Sequence, residues 1–337
     1  MIDLKDITDE SIWQEFVQGF EEVNFLHSWQ WGEFHKARYK KVIRRGIYDD
    51  EVLVGVYTGQ VEDARRGRYL AIAGGPLLKN WADAKRVFKD IYQQADQLGC
   101  VFARVRPQLR LSPENLKIFS DNGLRPAPMP LSVEHAGIID LAKSDDQILA
   151  DMSQSLRRKI RKAQRSDIKI EVSDNLEILQ DFIQIHNQHA KRQGYVAFSP
   201  EFITKQFEAF KNTGNILIYT ARHDDQILAQ NYVIFYGPEA SYHYGVSTFE
   251  GMKLSSAPLL HLEAMAEARR RGCKRYNFWG IVDEDQTSHR YYGVSQFKRS
   301  FGVEELKYIP AHDLVVRRAA YAKNWLIETA RRKIRKL

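Results

Sequence analysis

Two lysines in this 337-residue chain close segments dense in aromatic side chains, where an amine could do chemistry. Lys36 closes the segment Phe25-Leu26-His27-Ser28-Trp29-Gln30-Trp31-Gly32-Glu33-Phe34-His35-Lys36. Ser28 can cap a helix that turns Trp29, Trp31 and Phe34 inward, which accounts for the rings but not for the lysine. Lys298 follows Phe297, downstream of Tyr276-Asn277-Phe278-Trp279-Gly280-Ile281, a run that alternates like a strand and breaks at glycine. A third aromatic group is Tyr242-His243-Tyr244-Gly245. Cations are concentrated: Arg157, Arg158, Lys159, Arg161, Lys162 and Arg165 fill six of the nine residues 157–165. Arg331, Arg332, Lys333, Arg335 and Lys336 fill five of the last seven. Such runs suit a polyanion, a phosphorylated substrate or an anionic membrane surface, and equally a solvated helix face.

The remaining reactive residues form weaker patterns. Cys100 and Cys273 are too far apart for a disulfide framework or a zinc site, and neither has a base beside it in sequence. They read as small buried hydrophobes. His186 and His189 lie three apart on a helix without a companion ligand, which favours packing over metal binding. Asp283, Glu284, Asp285 and His289 read as a solvated loop, with Ser288 capping the next helix. No P-loop or dinucleotide-binding glycine fingerprint is present. There is no Ser-His-Asp or Cys-His arrangement, so a group transfer here would proceed by direct attack.

Composition narrows the class of protein. The hydrophobic fraction of 44% and aromatic fraction of 12% are those of a globular chain, long enough for two domains with separate cores. Residues 1–9 are polar and acidic, unlike a secretory signal, and no apolar run approaches the roughly 20 residues of a membrane span. A cytoplasmic protein with peripheral membrane contact is expected. Net charge is +7, from 50 Lys and Arg against 43 Asp and Glu.

An internal repeat shows what positions these residues. Arg44–Tyr48 and Glu51–Thr58 flank Asp49-Asp50 as a hairpin; Ile216–Arg222 and Gln226–Phe235 flank Asp224-Asp225 in the same way. Each hairpin is followed by a strand, a long helix, a Gly-Cys pair and another strand. The copies are Ala82–Leu98, Gly99-Cys100, Val101–Val105 and Pro258–Arg271, Gly272-Cys273, Lys274–Phe278. Each glycine stands where a helix needs a left-handed cap. Further helices end at Gly123 (Pro113–Asn122) and Gly302 (Gln296–Phe301). A helix over Gln147–Arg165 joins the halves, and a helical pair, Leu176–Arg192 and Pro200–Lys211, is inserted in the second. A last helix, Ala319–Lys336, carries Ala322, Leu326, Ala330 and Ile334 at helical spacing and should pack on the first domain.

The order hairpin, strand, helix, strand, helix, strand, present twice, resembles the N-acetyltransferase (GNAT) fold. The expected class is therefore α/β (α+β) with two GNAT-like domains in tandem. The first spans 1–145, completed by 311–337; the second spans 146–310, with its insertion at 175–212. Over essentially the whole chain the motifs resemble the Fem-type (FemABX) aminoacyltransferases that build peptidoglycan interpeptide bridges. They are the Ser28–Lys36 opening, the Gly75-Pro76 turn, the basic helix Leu156–Ala163, the strand end Tyr276–Gly280 and the closing Phe297-Lys298.

That resemblance implies the reaction. A stem-peptide amine of a peptidoglycan precursor attacks the ester of an aminoacyl-tRNA, with the tRNA as co-substrate and no cofactor or metal. It assigns Lys298, with Phe297, to catalysis and Lys36, Tyr244, Trp31 and Asn277 to substrate binding. Arg157, Arg158, Arg161 and Lys162 would contact tRNA or another anion. Asn277 and Trp279 replace an aspartate and a glycine of the family pattern, Arg106 stands where some relatives carry an acid, and Phe198-Ser199-Pro200 lacks an arginine. Two other readings remain: a GNAT-type acyltransferase using acyl-coenzyme A, and a non-catalytic binder of tRNA or anionic membrane. Neither half carries the Arg/Gln-x-x-Gly-x-Gly/Ala loop expected of the former; the corresponding residues are Glu250–Ala257.

Overall fold

The structure, a computed structural model, describes residues 2–64, 67–193 and 197–335. Lys336, counted above in the second cationic run and at the end of the last helix, lies outside them, as do the chain-end residues Met1 and Leu337 of the expected domain bounds. The strands run β1 (Ile2–Asp6), β2 (Val42–Asp49), β3 (Val52–Ala64), β4 (Gly67–Gly74), β5 (Leu77–Leu78), β6 (Phe102–Pro107) and β7 (Arg125–Pro126). There follow β8 (His135–Asp140), β9 (Lys169–Ser173), β10 (Ile216–His223), β11 (Gln226–Tyr236), β12 (Glu239–Ser247), β13 (Arg275–Gly280), β14 (Glu304–Lys307) and β15 (His312–Val315). Among the described residues they form two sheets, β1-β2-β3-β4-β6-β15-β7 with β5 on β3, and β14-β8-β13-β12-β11-β10-β9.

The helices are α1 (Glu10–Gln18), α2 (Trp29–Ala37), α3 (Ala84–Gln97), α4 (Pro113–Asp121), α5 (Asp145–Asp151) and α6 (Gln154–Gln164). After them come α7 (Leu176–Gln193), α8 (Pro200–Lys211), α9 (Phe249–Leu254), α10 (Ala257–Arg270), α11 (Tyr292–Arg299) and α12 (Arg318–Arg335). Mixed α/β structure with a doubled GNAT-like order is what the repeat led one to expect.

The repeat works through its turns. Both hairpins close on two residues of positive φ, Asp50 (43°) with Glu51 (69°) and Asp224 (45°) with Asp225 (62°). That geometry matches the strand twist, and aspartate tolerates it better than most residues. The first turn lies one residue later than Asp49-Asp50, because Asp49 still pairs with Val52. Helices α3 and α10 each end at a left-handed glycine, Gly99 (φ 69°) and Gly272 (φ 79°), and Cys100 and Cys273 follow as buried thiols. Burial raises both thiols to about 11, which removes thiolate character at neutral pH.

Four expectations need correction. Gln147–Arg165 is two helices: Met152 is extended (ψ 147°), and the Ser153 hydroxyl accepts the Leu156 N–H at 3.2 Å as the cap of α6. Helix α11 begins at Tyr292 rather than Gln296, without a side-chain cap, so Ser288 does not start it. The boundary at 145 moves upstream, because β8 pairs with β13; β15 pairs in turn with β6. Each half thus gives its last strand to the other sheet. The compact units are Met1–His135 with Glu284–Arg290 and Leu306–Leu337, and Ala136–Asp283 with Tyr291–Glu305.

The fourth correction concerns α12. It belongs to the first unit, but through Tyr321, Asn324 and Glu328, while Ala322, Leu326, Ala330 and Ile334 are exposed. Asp313 and Arg104 explain the reversal. Arg104 donates to Asp313 at 2.7 and 2.8 Å and to Glu328 at 2.7 Å, and the Tyr321 hydroxyl donates to Asp313 at 3.0 Å. Arg104, once buried in β6, needs carboxylates beside it, and turning the polar face of the helix inward supplies Glu328.

Candidate active site

In the second unit the parallel pair β12–β13 holds for three residue pairs, Glu239↔Arg275, Ala240↔Tyr276 and Ser241↔Asn277. Then the strands part. In the first unit the equivalent pair β4–β6 runs through six, from Tyr69↔Phe102 to Gly74↔Pro107. Backbone freed from a parallel ladder at the carboxyl ends of strands is where an α/β sheet can admit a ligand. Only the second unit opens such a wedge among its described residues.

Two local irregularities open it. Strand β12 carries a bulge against β11, where Tyr232 faces Tyr244 and Val233 faces Tyr242. An extra residue reverses the alternation, so Tyr242 and Tyr244 take opposite faces of the strand. Tyr242 meets His261 and Phe278, whereas Tyr244 meets Phe182, His186, Phe198 and Tyr232. On β13 the backbone turns at Trp279, whose φ of 66° costs a bulky residue roughly 1–2 kcal/mol. The Asn277 side-chain carbonyl accepts the Trp279 N–H at 2.7 Å and holds that turn.

Asn277 therefore has a different task from the one expected of it. It is buried, and its amide donates to Glu239 at 2.9 Å while its carbonyl serves Trp279. Glu239 also accepts from Ser241 at 2.6 Å and from Arg275 at 2.7 Å. An aspartate at this position would set a second carboxylate against Glu239; the neutral amide removes that conflict.

Lys298 lies in the wedge. The residue is 7% exposed, and its ammonium donates to the Gly280 carbonyl at 2.7 Å and sits 5.8 Å from the Tyr242 ring centre. Burial pulls its pKa from 10.5 down to about 7. At that value the amine can give up and regain a proton near neutral pH. Phe297 packs against His261 and Phe301 and fixes the helix face that turns Lys298 inward. Helix α11 is tied to the strand end at two further points: the Val282 N–H donates to Ser295 at 3.0 Å, and Arg299 donates to the Val282 carbonyl at 2.6 Å. His261, buried and lowered to about 3 by burial and by Lys298, stays neutral, 2.9 Å from the Tyr276 hydroxyl. A near-neutral lysine, a backbone carbonyl and a tyrosine in a water-poor cleft can move a proton and stabilise a developing oxyanion.

Of the other expected residues, Trp31 and Lys36 belong to the first unit. In the first unit Ser28 caps α2, accepting the Trp31 N–H at 3.0 Å. The half-buried Trp31 ring packs on Phe25, Phe34 and His35. Lys36 is exposed and donates to Glu33 at 2.9 Å; Glu33 also accepts from Arg44 at 2.8 Å, and that guanidinium lies 3.6 Å from the Trp29 ring centre. Arg106 is buried, donating to Gln108 and covering the Tyr308 ring. On α6, Arg157 is withdrawn from the anion-binding set: it donates to the carbonyls of Leu149, Ala150 and Met152, closing the end of α5. Arg158, Lys159, Arg161, Lys162 and Arg165 are exposed and form no ion pair among the described residues. His186 stacks on Phe182.

Sequence reasoning singled out Tyr244 but not Tyr242, because a bulge leaves no mark on the alternation pattern. It also passed over Gly280 as acceptor. The signal available was Gly245: a Cβ there would lie 1.7 Å from the Tyr242 hydroxyl, so glycine marks the close approach.

Residues 150–299 match a family model described as an acetyltransferase (GNAT) domain. The chain as a whole has the tandem GNAT fold. More particularly, it is similar to FemX, which aligns with a TM-score of 0.82 at 16% identity, covering 97% of this chain and 100% of FemX. A tandem GNAT protein from the clavulanic acid biosynthesis pathway aligns at 0.58 and 11% identity, over 94% of this chain and 99% of its own. The C-terminal domain of a putative lysylphosphatidylglycerol synthetase from Agrobacterium fabrum aligns at 0.57 and 15%, over 95% of each chain. No curated protein matches the sequence.

Proposed function

We propose that the chain is an acyltransferase of Fem type, moving an amino acid from aminoacyl-tRNA to the stem-peptide amine of a peptidoglycan precursor. Lys298 in the open wedge carries this reading, and the likeness to FemX over the full chain supports it. The amine attacks the ester carbonyl carbon, the new C–N bond forms and the bond to the ribose oxygen breaks. The amine gives up one proton and the ribose oxygen gains one. Lys298, poised near 7, stabilises the oxyanion as its ammonium, donates that proton and recovers one afterwards. Lys36 and Tyr244 hold the precursor, and the free cations of α6 contact the tRNA.

An acyl-coenzyme A donor is favoured by the acetyltransferase description of residues 150–299. Against it, the segment before α10 is folded into α9. Gly251 lies so close to Leu228 that a Cβ would be 1.9 Å from its carbonyl oxygen. The Ser256 and Leu259 amides donate to Gly251 and Ser256 at 3.0 and 3.1 Å, and Pro258 has no amide to offer. Few donors remain for a pyrophosphate. The test is transfer of radiolabel by the purified chain from charged tRNA, or from acetyl-coenzyme A, onto lipid II or UDP-MurNAc-pentapeptide. Labelled precursor only from tRNA is expected. Transfer only from the thioester overturns the donor assignment, and transfer from neither overturns the enzyme.

A further inference from the structure

Helix α12 is amphipathic in the reverse of the usual sense. Its polar residues Tyr321, Asn324 and Glu328 are buried, while Ala319, Ala322, Leu326, Ala330 and Ile334 form one exposed stripe. Leu326 is 64% exposed and Ile334 81%, and Trp325 borders the stripe at 41%. The charges on this helix are one-sided. Lys323, Arg331 and Arg332 are exposed, and the helix's single carboxylate, Glu328, is buried against Arg104. The outward surface is therefore an apolar stripe with Lys323 within it and the arginines at its flanks, and the helix exposes no acid.

We infer that α12 is a membrane-docking helix, lying flat in the headgroup layer of an anionic bilayer with Leu326 and Ile334 entering the acyl boundary. Three occupants could cover an apolar stripe, and the charge pattern selects among them. A second copy of the chain would bring like charges face to face along the whole helix. A nucleic acid would satisfy the cations but would leave Leu326 and Ile334 without a partner. An anionic lipid surface meets both: the apolar side chains leave water, the tryptophan sits at the interface, and the lysine and arginines meet headgroup phosphates. No described helix is long and apolar enough to cross a membrane, which leaves the interfacial geometry. The contact is independent of the donor and acceptor proposed above.

The test is co-sedimentation of the full chain with vesicles of phosphatidylcholine, with and without phosphatidylglycerol, at low and high salt. Binding is expected to the anionic vesicles and to weaken with salt. Leu326→Ser with Ile334→Ser should weaken it about tenfold or more. Both side chains face solvent, so the melting temperature should not change. Lys323→Gln with Arg331→Gln should flatten the salt dependence. Failure of the wild-type chain to bind anionic vesicles overturns the inference. So does binding that survives the double serine variant, which would assign the contact to α6. Self-association that requires Leu326, without vesicle binding, would assign the stripe to a second copy.

Discussion

Lys298 bears on stability as well as on chemistry. Its pKa falls from 10.5 to about 7 on folding, so between those values the unfolded chain binds more protons than the folded one. Stability therefore rises with pH across that window, and below about 7 the full cost of burying a charged amine is present. Lys298→Met removes that cost, on the order of several kcal/mol. Urea unfolding should show the variant more stable than wild type near pH 6, with the gap closing toward about pH 10; a gap independent of pH would mean that the amine is solvated. In transfer assays the same variant should lose ~10²–10³ in turnover. Lys298→Arg, which cannot give up its proton, should keep part of the activity and lose the fall in rate above about pH 7 that general-acid action requires. At Asn277 the expected outcome is opposite to a family-restoring change. Asn277→Asp places a carboxylate beside the buried Glu239 and should lower stability by about 1–3 kcal/mol; an unchanged melting temperature would remove the amide from its supporting role. Phe297-Lys298 was legible as a pair worth testing. The lowered pKa was not, because burial belongs to the fold and leaves no trace in residue order.

At the scale of elements, hairpins and helix ends were readable where a turn needs special chemistry, as at Asp224-Asp225 and Gly272. Irregularities inside continuous patterns were not. Ile148, Leu149, Met152, Leu156, Ile160 and Ala163 read as one helical face, and nothing in that spacing shows that Ser153 restarts the helix. The bulge in β12 is hidden for the same reason. The break between α5 and α6 divides the basic cluster by role. Arg157→Ala should cost about 1–2 kcal/mol by removing the guanidinium donor from the Ala150 and Met152 carbonyls, and should leave polyanion affinity unchanged. Arg158, Lys159, Arg161 and Lys162 changed together to glutamine should do the reverse. Thermal stability should hold, while the slope of log affinity for tRNA against log salt falls by up to roughly 4 × 0.9. A slope unaffected by the second variant would reduce this face to solvation.

The exchange of last strands between the two halves is a property of the whole chain, and half of it was legible: the expected first domain took in 311–337, which hold β15, but kept β8 as well. The pairing of β8 with β13 and of β15 with β6 depends on partners far away in sequence. For β15 the selecting contact is Arg104, buried in β6 and, among the described residues, neutralised by Asp313 on β15 and Glu328 on α12. Without those segments Arg104 would be a buried cation with neither of its two carboxylates, and β6 would lose a neighbour along its length. A chain ending at Glu305 should therefore fail to fold its first unit, although residues 2–135 are intact. Urea unfolding followed by circular dichroism should show a reduced amplitude and a smaller m-value, since less surface is exposed on unfolding. Arg104→Met in the full chain isolates the cause, stranding two carboxylates at a cost of about 3–5 kcal/mol. Should the shortened chain keep the full m-value, β15 and α12 would be appendages to a first sheet that is stable without them.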